Sequence, residues 1–186
     1  MQAIDALLER RSAKALTAPA PEGGALELIF ASASAAPDHG RLRPWRFIVI
    51  QGKALERFGD LLAEQLRRSY PSSTQESLQR ERQKAFRAPM IIVVAAICSP
   101  GGKIPVIEQV LAAGAAAQNV MLAALALGFN SMWKTGAPAY DEPVKAALGL
   151  EAKDAIVGFM YVGTEAAKAD SVPRPSWQDR VHHWGA

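Results

Sequence analysis

The stretch 105–127 constrains this fold most, because it is helical in character and apolar nearly all round. It is rich in Ala and includes Gly114, so other helices can approach it closely. A helix about 34 Å long needs cover on most sides, and a chain of this size has difficulty providing it alone. We therefore predict a buried helix at a dimer interface. Gln118 and Asn119, at its middle, argue against a membrane span.

The rest of the chain alternates helical and strand patterns. We predict helices over 2–11, 21–34, 53–68, 75–87 and 141–149, and strands over 45–50, 90–98, 131–135 and 155–162. This order predicts an α+β fold with one mixed or antiparallel sheet flanked by helices. We expect a single domain over 1–186. Its tail, 164–186, lacks periodicity but carries Trp177 and Trp184, so we expect it to pack on its own subunit or on the partner subunit.

Composition argues against several classes of protein. The net charge is only +3, and Lys and Arg are scattered rather than clustered on one face, so we expect no nucleic-acid partner. Cys98 is the sole cysteine, which excludes an intrachain disulfide and suits a reducing compartment. The first residues lack the basic and apolar segments of a signal peptide. We expect a cytoplasmic protein without a membrane partner.

Several common catalytic motifs are also missing. No Gly-x-Gly-x-x-Gly follows a strand, and the chain has neither a Walker loop nor a Gly-x-Ser-x-Gly elbow. His182 and His183 are adjacent, a poor spacing for a metal site, and we expect no metal. Chemistry without a nucleophile or metal points to a bound organic cofactor, so no side chain is predicted as catalytic.

Arg10-Arg11-Ser12, with Lys14 close behind, ends the first predicted helix. Arginine forks match phosphate oxygens, and serine adds a hydroxyl donor, so this group could hold a phosphate. The alternative is a cationic helix end that interacts favourably with the helix dipole.

Two further groups have a functional and a structural interpretation. His39 follows Pro37-Asp38 in a turn and could face a ligand, although an ordinary turn histidine is the simpler interpretation. Lys134, within Trp133-Lys134-Thr135, lies in apolar surroundings, where a phosphate could pair with it. It could equally be a strand-end lysine that reaches solvent.

The combination and order of these groups resemble the nitroreductase family, most closely its short YdjA-like branch. The resemblance covers nearly all of 1–163 and rests on many short motifs. They are Arg10-Arg11-Ser12, Ala36-Pro37-Asp38-His39, Pro44-Trp45, Arg87-Ala88-Pro89, Glu108-Gln109, Ala126-Leu127-Gly128-Phe129, Trp133-Lys134-Thr135-Gly136, Ile156-Val157-Gly158-Phe159 and Gly163-Thr164.

The resemblance implies a homodimer with two FMN sites at the subunit interface and NAD(P)H as the reductant. By position, Arg10, Arg11 and Ser12 of one subunit would hold the phosphate and ribityl end of FMN, and His39 would come from the other. Trp133, Lys134 and Thr135 would join the first group. The segment matching nicotinamide-nucleotide binding is Ala123, Ala124, Leu125, Ala126, Leu127 and Gly128.

The chain departs from the branch at two positions. Ala35 stands where the branch tends to place a flavin-contacting arginine, and Arg43 stands where it tends to have glutamine. Lys14 occupies the place of a lysine that larger members hold near the flavin pyrimidine ring. The hypothesis is that Lys14 or Arg43 replaces the missing charge.

The resemblance therefore predicts an FMN-dependent NAD(P)H oxidoreductase that reduces nitroaromatic or quinone-type acceptors. Within the same fold, the alternatives are a dehalogenase, an ene-reductase or a flavin-processing enzyme. An FMN-binding protein without turnover and a basic nucleic-acid module are rivals of other classes. The shortness of the chain favours the general reductase, although family membership does not decide the acceptor.

Overall fold

The computed structural model describes residues 2–167 and 173–185, in which helices flank one sheet. The α+β fold predicted from the element order is confirmed. The helices are α1 Ala3–Glu9, α2 Gly23–Ser34, α3 Lys53–Ser69, α4 Gln75–Gln83, α5 Val106–Ala126 and α6 Glu142–Ala147. The strands are β1 Leu16–Thr17, β2 Trp45–Gln51, β3 Met90–Ala96, β4 Asn130–Lys134 and β5 Ala155–Glu165.

The sheet is built around β5, which pairs antiparallel with β1, β3 and β4. β2 joins the far side of β3, again antiparallel, with Ile48 opposite Val93. Every residue of β3 is buried, which confirms the expectation that this unbroken apolar run is covered on both faces.

Different sets of helices cover the two faces of this sheet. α2 and α5 pack on each other and on one face, where alternate residues of β3 and β5, such as Ile92 and Met160, meet α5. α3 and α6 cover the opposite face, with α4 packed on α3. There the rings of Phe58 and Phe159 lie 5.5 Å apart. Side-chain alternation along each strand produces these two apolar layers.

α5 is long and apolar enough to cross a membrane, by length and composition alone. Its position is that of a core helix, because a continuous row of its residues is buried against α2 and the sheet. The opposite row is exposed or half-buried. We call this row the α5 stripe: Ile107, Leu111, Gly114, Gln118, Leu122 and Leu125. Ile107 and Leu111 are 63% and 64% exposed, so the described chain leaves one side of its most apolar helix uncovered.

The structure differs from the sequence expectations most at three places. The sequence pattern predicts no strand between 11 and 21, yet β1 lies there because Leu16 and Thr17 pair with β5, far away in sequence. β5 continues three residues past the predicted strand end, so 164–165 belong to the sheet rather than to a tail. In the described part of the tail, 173–185, Trp177 and Trp184 are exposed. The remaining tail residues, 168–172 and 186, lie outside the described residues.

Candidate functional site

The loop after α1 is fixed against the start of β4. The Arg10 N–H donates to the carbonyl of Ala6 at 3.0 Å, which ends α1. Ser12 forms a parallel bridge with Ser131, and the Ala13 N–H donates to the Ser131 carbonyl at 3.1 Å. The predicted Arg10-Arg11-Ser12 group is therefore attached to the strand that carries the predicted Trp133-Lys134-Thr135 group.

A third arginine joins this loop from the tail. The Arg174 guanidinium donates to the backbone carbonyl of Arg10 and approaches that of Leu8 at 3.5 Å. Partial burial and the neighbouring Arg174 charge both lower the pKa of Arg10. The charge of Arg174 disfavours a second positive charge at Arg10, and an anion bound at this loop would relieve that repulsion.

Arg174 was not among the predicted site residues, because the tail shows no periodicity that would place it. In the sequence, only its position between Pro173 and Pro175 distinguishes Arg174 from the rest of the tail, which has no helical or strand periodicity.

Arg11 makes an ion pair instead of pointing freely to solvent. Its Nη2 lies 2.8 Å from Oε2 of Glu165, and both side chains are largely buried. Nδ2 of Asn130 also donates to Glu165, at 3.1 Å. This network ties the Arg10–Ser12 loop to β4 and β5, so Arg11 helps to hold the loop in position.

The other predicted group lies at the end of β4. Nε1 of Trp133 donates to the Val157 carbonyl at 3.2 Å, which fixes the ring against β5. Lys134 and Thr135 are exposed, and Lys134 has no ion-pair partner in the part of the chain that the structure describes. Lys134 is three residues beyond Ser131, or about 10 Å along the strand. The two predicted groups therefore lie along one strand, at a separation suited to an elongated ligand.

His39 lies elsewhere in the chain. It begins the 3-10 turn His39–Arg41, and its Nδ1 is 2.5 Å from Oε2 of Glu108, in the first turn of α5. The Arg10–Ser12 loop lies near the opposite end of α5, since β4 follows that end directly. Glu108 and Ala126 are separated by about 27 Å along the helix axis. Within one chain, His39 and the arginine loop therefore do not meet.

Ala35, which stands in place of a flavin-contacting arginine, and the two cations proposed to replace that charge differ in their surroundings. Ala35 caps the end of α2 and is exposed. Lys14 is exposed as well and has no ion-pair partner among residues 2–167 and 173–185. Arg43 has a positive φ of 50°, and its N–H donates to Oδ2 of Asp38 at 2.5 Å. Both cations are thus available to a ligand.

The predicted nicotinamide-nucleotide segment spans the end of α5 and its stop. Ala124 has no exposed surface and packs in the core, whereas Ala123 and Leu125 are partly buried. Ala126, Leu127 and Gly128 are exposed, and Gly128 ends the helix with a φ of 87°. The last three residues of this segment therefore offer the most surface to a ligand.

Comparison with known proteins identifies close relatives over nearly the whole chain. The sequence model described as "Nitroreductase family" matches residues 7–164. The Escherichia coli K12 protein named "Putative NAD(P)H nitroreductase YdjA" is 39% identical, covering 95% of this chain and 97% of its own length.

Solved structures share the fold. A nitroreductase-like family protein from Bacillus cereus superposes with a TM-score of 0.85 at 23% identity, covering 100% of this chain and 97% of its own. A Desulfovibrio desulfuricans protein, described as a putative nitroreductase in complex with FMN, superposes with a TM-score of 0.70. It is 26% identical and covers 94% of this chain and 92% of its own.

Proposed function

The chain belongs to the nitroreductase family, and from that premise we propose that it is an FMN-dependent NAD(P)H oxidoreductase working as a homodimer. The observation that carries the proposal is the convergence of Arg10 and Arg174 beside the start of β4. Such a pair of cations suits the phosphate of a nucleotide. The relatives support the choice of ligand, because one is named an NAD(P)H nitroreductase and another is described in complex with FMN.

The residues present fit FMN along the length of β4. Arg10, Arg174 and the exposed hydroxyl of Ser12 would hold the phosphate, while Arg11 keeps their loop in place through Glu165. Trp133, Lys134 and Thr135 lie toward the other end of the strand, where the flavin ring would be held. When bound, FMN supplies hydride transfer between NAD(P)H and an acceptor, and the protein contributes binding, orientation and charge.

A positive charge beside the ring would stabilise the negative charge of its reduced form. We assign this role to Lys14 or Arg43, since Ala35 cannot provide it. Lys14 is favoured by its position in the sequence, which matches that of the lysine that larger family members hold near the pyrimidine ring. If Lys14→Ala changes neither the FMN affinity nor the flavin reduction potential, this assignment to Lys14 is wrong.

The α5 stripe supports a homodimer. In a two-fold dimer the same patch meets itself, so two copies of α5 would cross in opposite directions and cover Ile107 and Leu111. The start of one α5 would then approach the end of the other. His39, fixed to the start of α5 through Glu108, would reach the arginine loop of the partner subunit. This arrangement explains how residues about 27 Å apart in one chain can serve one site.

The substrates follow from the site and from the relatives. NAD(P)H would approach the exposed end of α5, Ala126, Leu127 and Gly128, and leave before the acceptor binds. We propose nitroaromatic or quinone-type compounds as acceptors, since both are flat and electron-poor. The chain between β3 and α5 is a short loop, 97–105, with no inserted lid of the kind that specialised flavoenzymes often add. We place the protein in the cytoplasm, where NAD(P)H is available.

The test is a titration of flavin-depleted protein with FMN, in which binding is measured by fluorescence. Arg10→Ala and Arg174→Ala should each raise the Kd by about tenfold or more, since a hydrogen bond to a charged group contributes about 1.5–3 kcal/mol. Arg80→Ala is the matched control, because Arg80 is exposed on α4 with only a loose pair to Glu76 at 3.8 Å. Equal Kd values for all three variants and the parent would contradict the phosphate assignment.

A further inference from the structure

A cavity lies on the sheet face opposite α2 and α5. It has a volume of about 230 Å³ and lies between α3, the α4 region and the chain just beyond β4. Phe58, Leu62, Leu66, Pro138 and Phe159 form apolar walls, and Gln65, Tyr70, Glu81, Lys84, Arg87, Lys134 and Tyr161 supply polar groups. Two of its lining residues, Lys134 and Thr135, are also assigned to flavin binding, whereas the walls formed by α3 and the α4 region are not.

The hydroxyl of Tyr161 is the unusual feature of this cavity. Tyr161 is 96% buried, being only 4% exposed, yet within the described chain its hydroxyl has no hydrogen-bond partner. No fully buried side-chain oxygen or nitrogen of the described residues lacks a partner, so this hydroxyl borders the cavity. Burial raises the pKa of Tyr161 to about 12, and the nearby Arg87 charge opposes that rise. The phenol is therefore a hydrogen-bond donor at neutral pH.

Gln65 provides a second buried polar group with spare capacity. It is 4% exposed, and its amide nitrogen donates to Oγ of Ser69 at 2.9 Å. Its amide oxygen has no donor among the residues that the structure describes. Since no fully buried polar side-chain atom of the described residues lacks a partner, this oxygen is accessible too, and Tyr161 and Gln65 offer a donor and an acceptor to a molecule in the cavity.

The charges around the cavity favour an anion. Lys84 and Glu81 neutralise each other, with Nζ 2.5 Å from Oε2. Arg87 and Lys134 line the same space, and neither has an ion-pair partner in the described ranges. The cavity therefore has two cations in excess. Inorganic phosphate would match the cations but not the aromatic and aliphatic walls formed by Phe58, Leu62 and Phe159.

We propose that this cavity binds a small aromatic carboxylate, with the carboxylate toward Arg87 and Lys134, the ring between the apolar walls, and Tyr161 donating to a ligand oxygen. The volume is below the about 300–1,000 Å³ of sites for drug-sized ligands, so a one-ring molecule fits best. The proposal goes beyond the flavin chemistry above. Because Lys134 borders both places, a bound carboxylate would also adjoin the segment assigned to flavin binding.

The test uses 4-fluorobenzoate as the probe, and its binding to the protein as purified is measured by fluorine NMR. We expect a Kd on the order of 1 mM or tighter, and much weaker binding of the neutral 4-fluorobenzamide. Tyr161→Phe and Arg87→Ala should each weaken 4-fluorobenzoate binding by about tenfold, since each removes a hydrogen bond to a charged group. Tyr140→Phe and Arg80→Ala are the matched controls, being exposed positions away from the cavity.

Visible absorbance recorded in the same titration distinguishes this cavity from the flavin site. Binding that is lost in the two cavity variants and kept in the two controls supports the proposal, whether or not the flavin spectrum shifts. Equal binding by all variants overturns it, as does binding that alters the flavin spectrum without depending on Tyr161 or Arg87. Absence of binding by the parent protein also overturns it, whether or not the protein binds FMN.

Discussion

Gly158 on β5 allows Trp133 to occupy its position, so Gly158→Ala tests how the end of β4 is held. A Cβ added at Gly158 would lie 2.7 Å from Cδ1 of Trp133 and 2.6 Å from Cε of Met160, and it would also meet Nε1 of the indole. Carbon atoms in contact normally lie about 3.5–4.0 Å apart. The indole must therefore move by about 1 Å and give up its hydrogen bond to Val157.

The expected cost follows from these contacts. Overpacking a core costs about 1–3 kcal/mol, and the lost indole hydrogen bond adds about 1 kcal/mol. For a domain of this size each kcal/mol lowers Tm by about 2–4 °C. Gly158→Ala should therefore lower Tm by roughly 5–15 °C by circular dichroism. It should also weaken FMN binding, because Lys134 and Thr135 follow the displaced indole.

Gly24→Ala is the matched control for this substitution. Gly24 lies in the first turn of α2, and a Cβ there meets nothing within 4 Å. Alanine replaces glycine in a helix with a gain of up to about 1 kcal/mol, so Tm should stay equal or rise by a few degrees. A Gly158→Ala protein with the Tm and FMN affinity of the parent would refute the reasoning, since it would show that the indole does not need this space.

Three further predictions concern separate parts of the molecule. Leu111→Arg places a charge on the α5 stripe and should convert a dimer into a monomer in light scattering, whereas Val49→Arg on β2 should not; a dimeric Leu111→Arg protein would contradict the α5 interface. In an ultraviolet titration one tyrosine should ionise at about pH 12, and this titration step should be absent from the Tyr161→Phe protein. The pKa of Tyr161 in the folded protein exceeds its value of about 10 in the unfolded chain. The contribution of this tyrosine to stability is therefore complete below pH 10 and is lost as the pH rises toward 12. The contrary result would be a stability difference between the parent and Tyr161→Phe that does not change with pH across this window. Asp141→Ala removes the cap of α6, in which Oδ1 of Asp141 accepts from the Val144 N–H at 2.9 Å. It should lower the free energy of unfolding, measured by urea denaturation, by about 1 kcal/mol. An unchanged denaturation midpoint would show that this cap and the Asp141–Arg68 ion pair at 2.8 Å are both dispensable.

Local pattern was sufficient to predict most of the secondary structure. The apolar run of β3 and the spacing of leucines in α3 depend on periodicity within one element. Gly128 and Gly149 mark helix ends for a local steric reason, their positive φ values of 87° and 75°. β1 could not be found this way, because a two-residue strand has no period and exists only through its pairing with β5.

The candidate site was only partly predictable for the same reason. The groups Arg10–Ser12 and 133–135 were identified by residue type and order, and the structure attaches both to β4. Arg174 reaches the first group from more than 160 residues away, which no local pattern records. The pairing of His39 with Glu108 is equally nonlocal. It holds His39 at the start of α5, so the proposal that His39 completes the site depends on the proposed dimer.

The central claim is that the protein carries electrons from NAD(P)H to an acceptor through FMN. The most direct measurement is the visible spectrum of the purified protein, reconstituted with FMN where needed, during anaerobic addition of NADH or NADPH and then of a quinone or nitroaromatic. We expect the flavin band to bleach with the reductant and to return with the acceptor, in repeated cycles. A protein that takes up no FMN, or whose bound flavin is not reduced by either nucleotide, would contradict the claim.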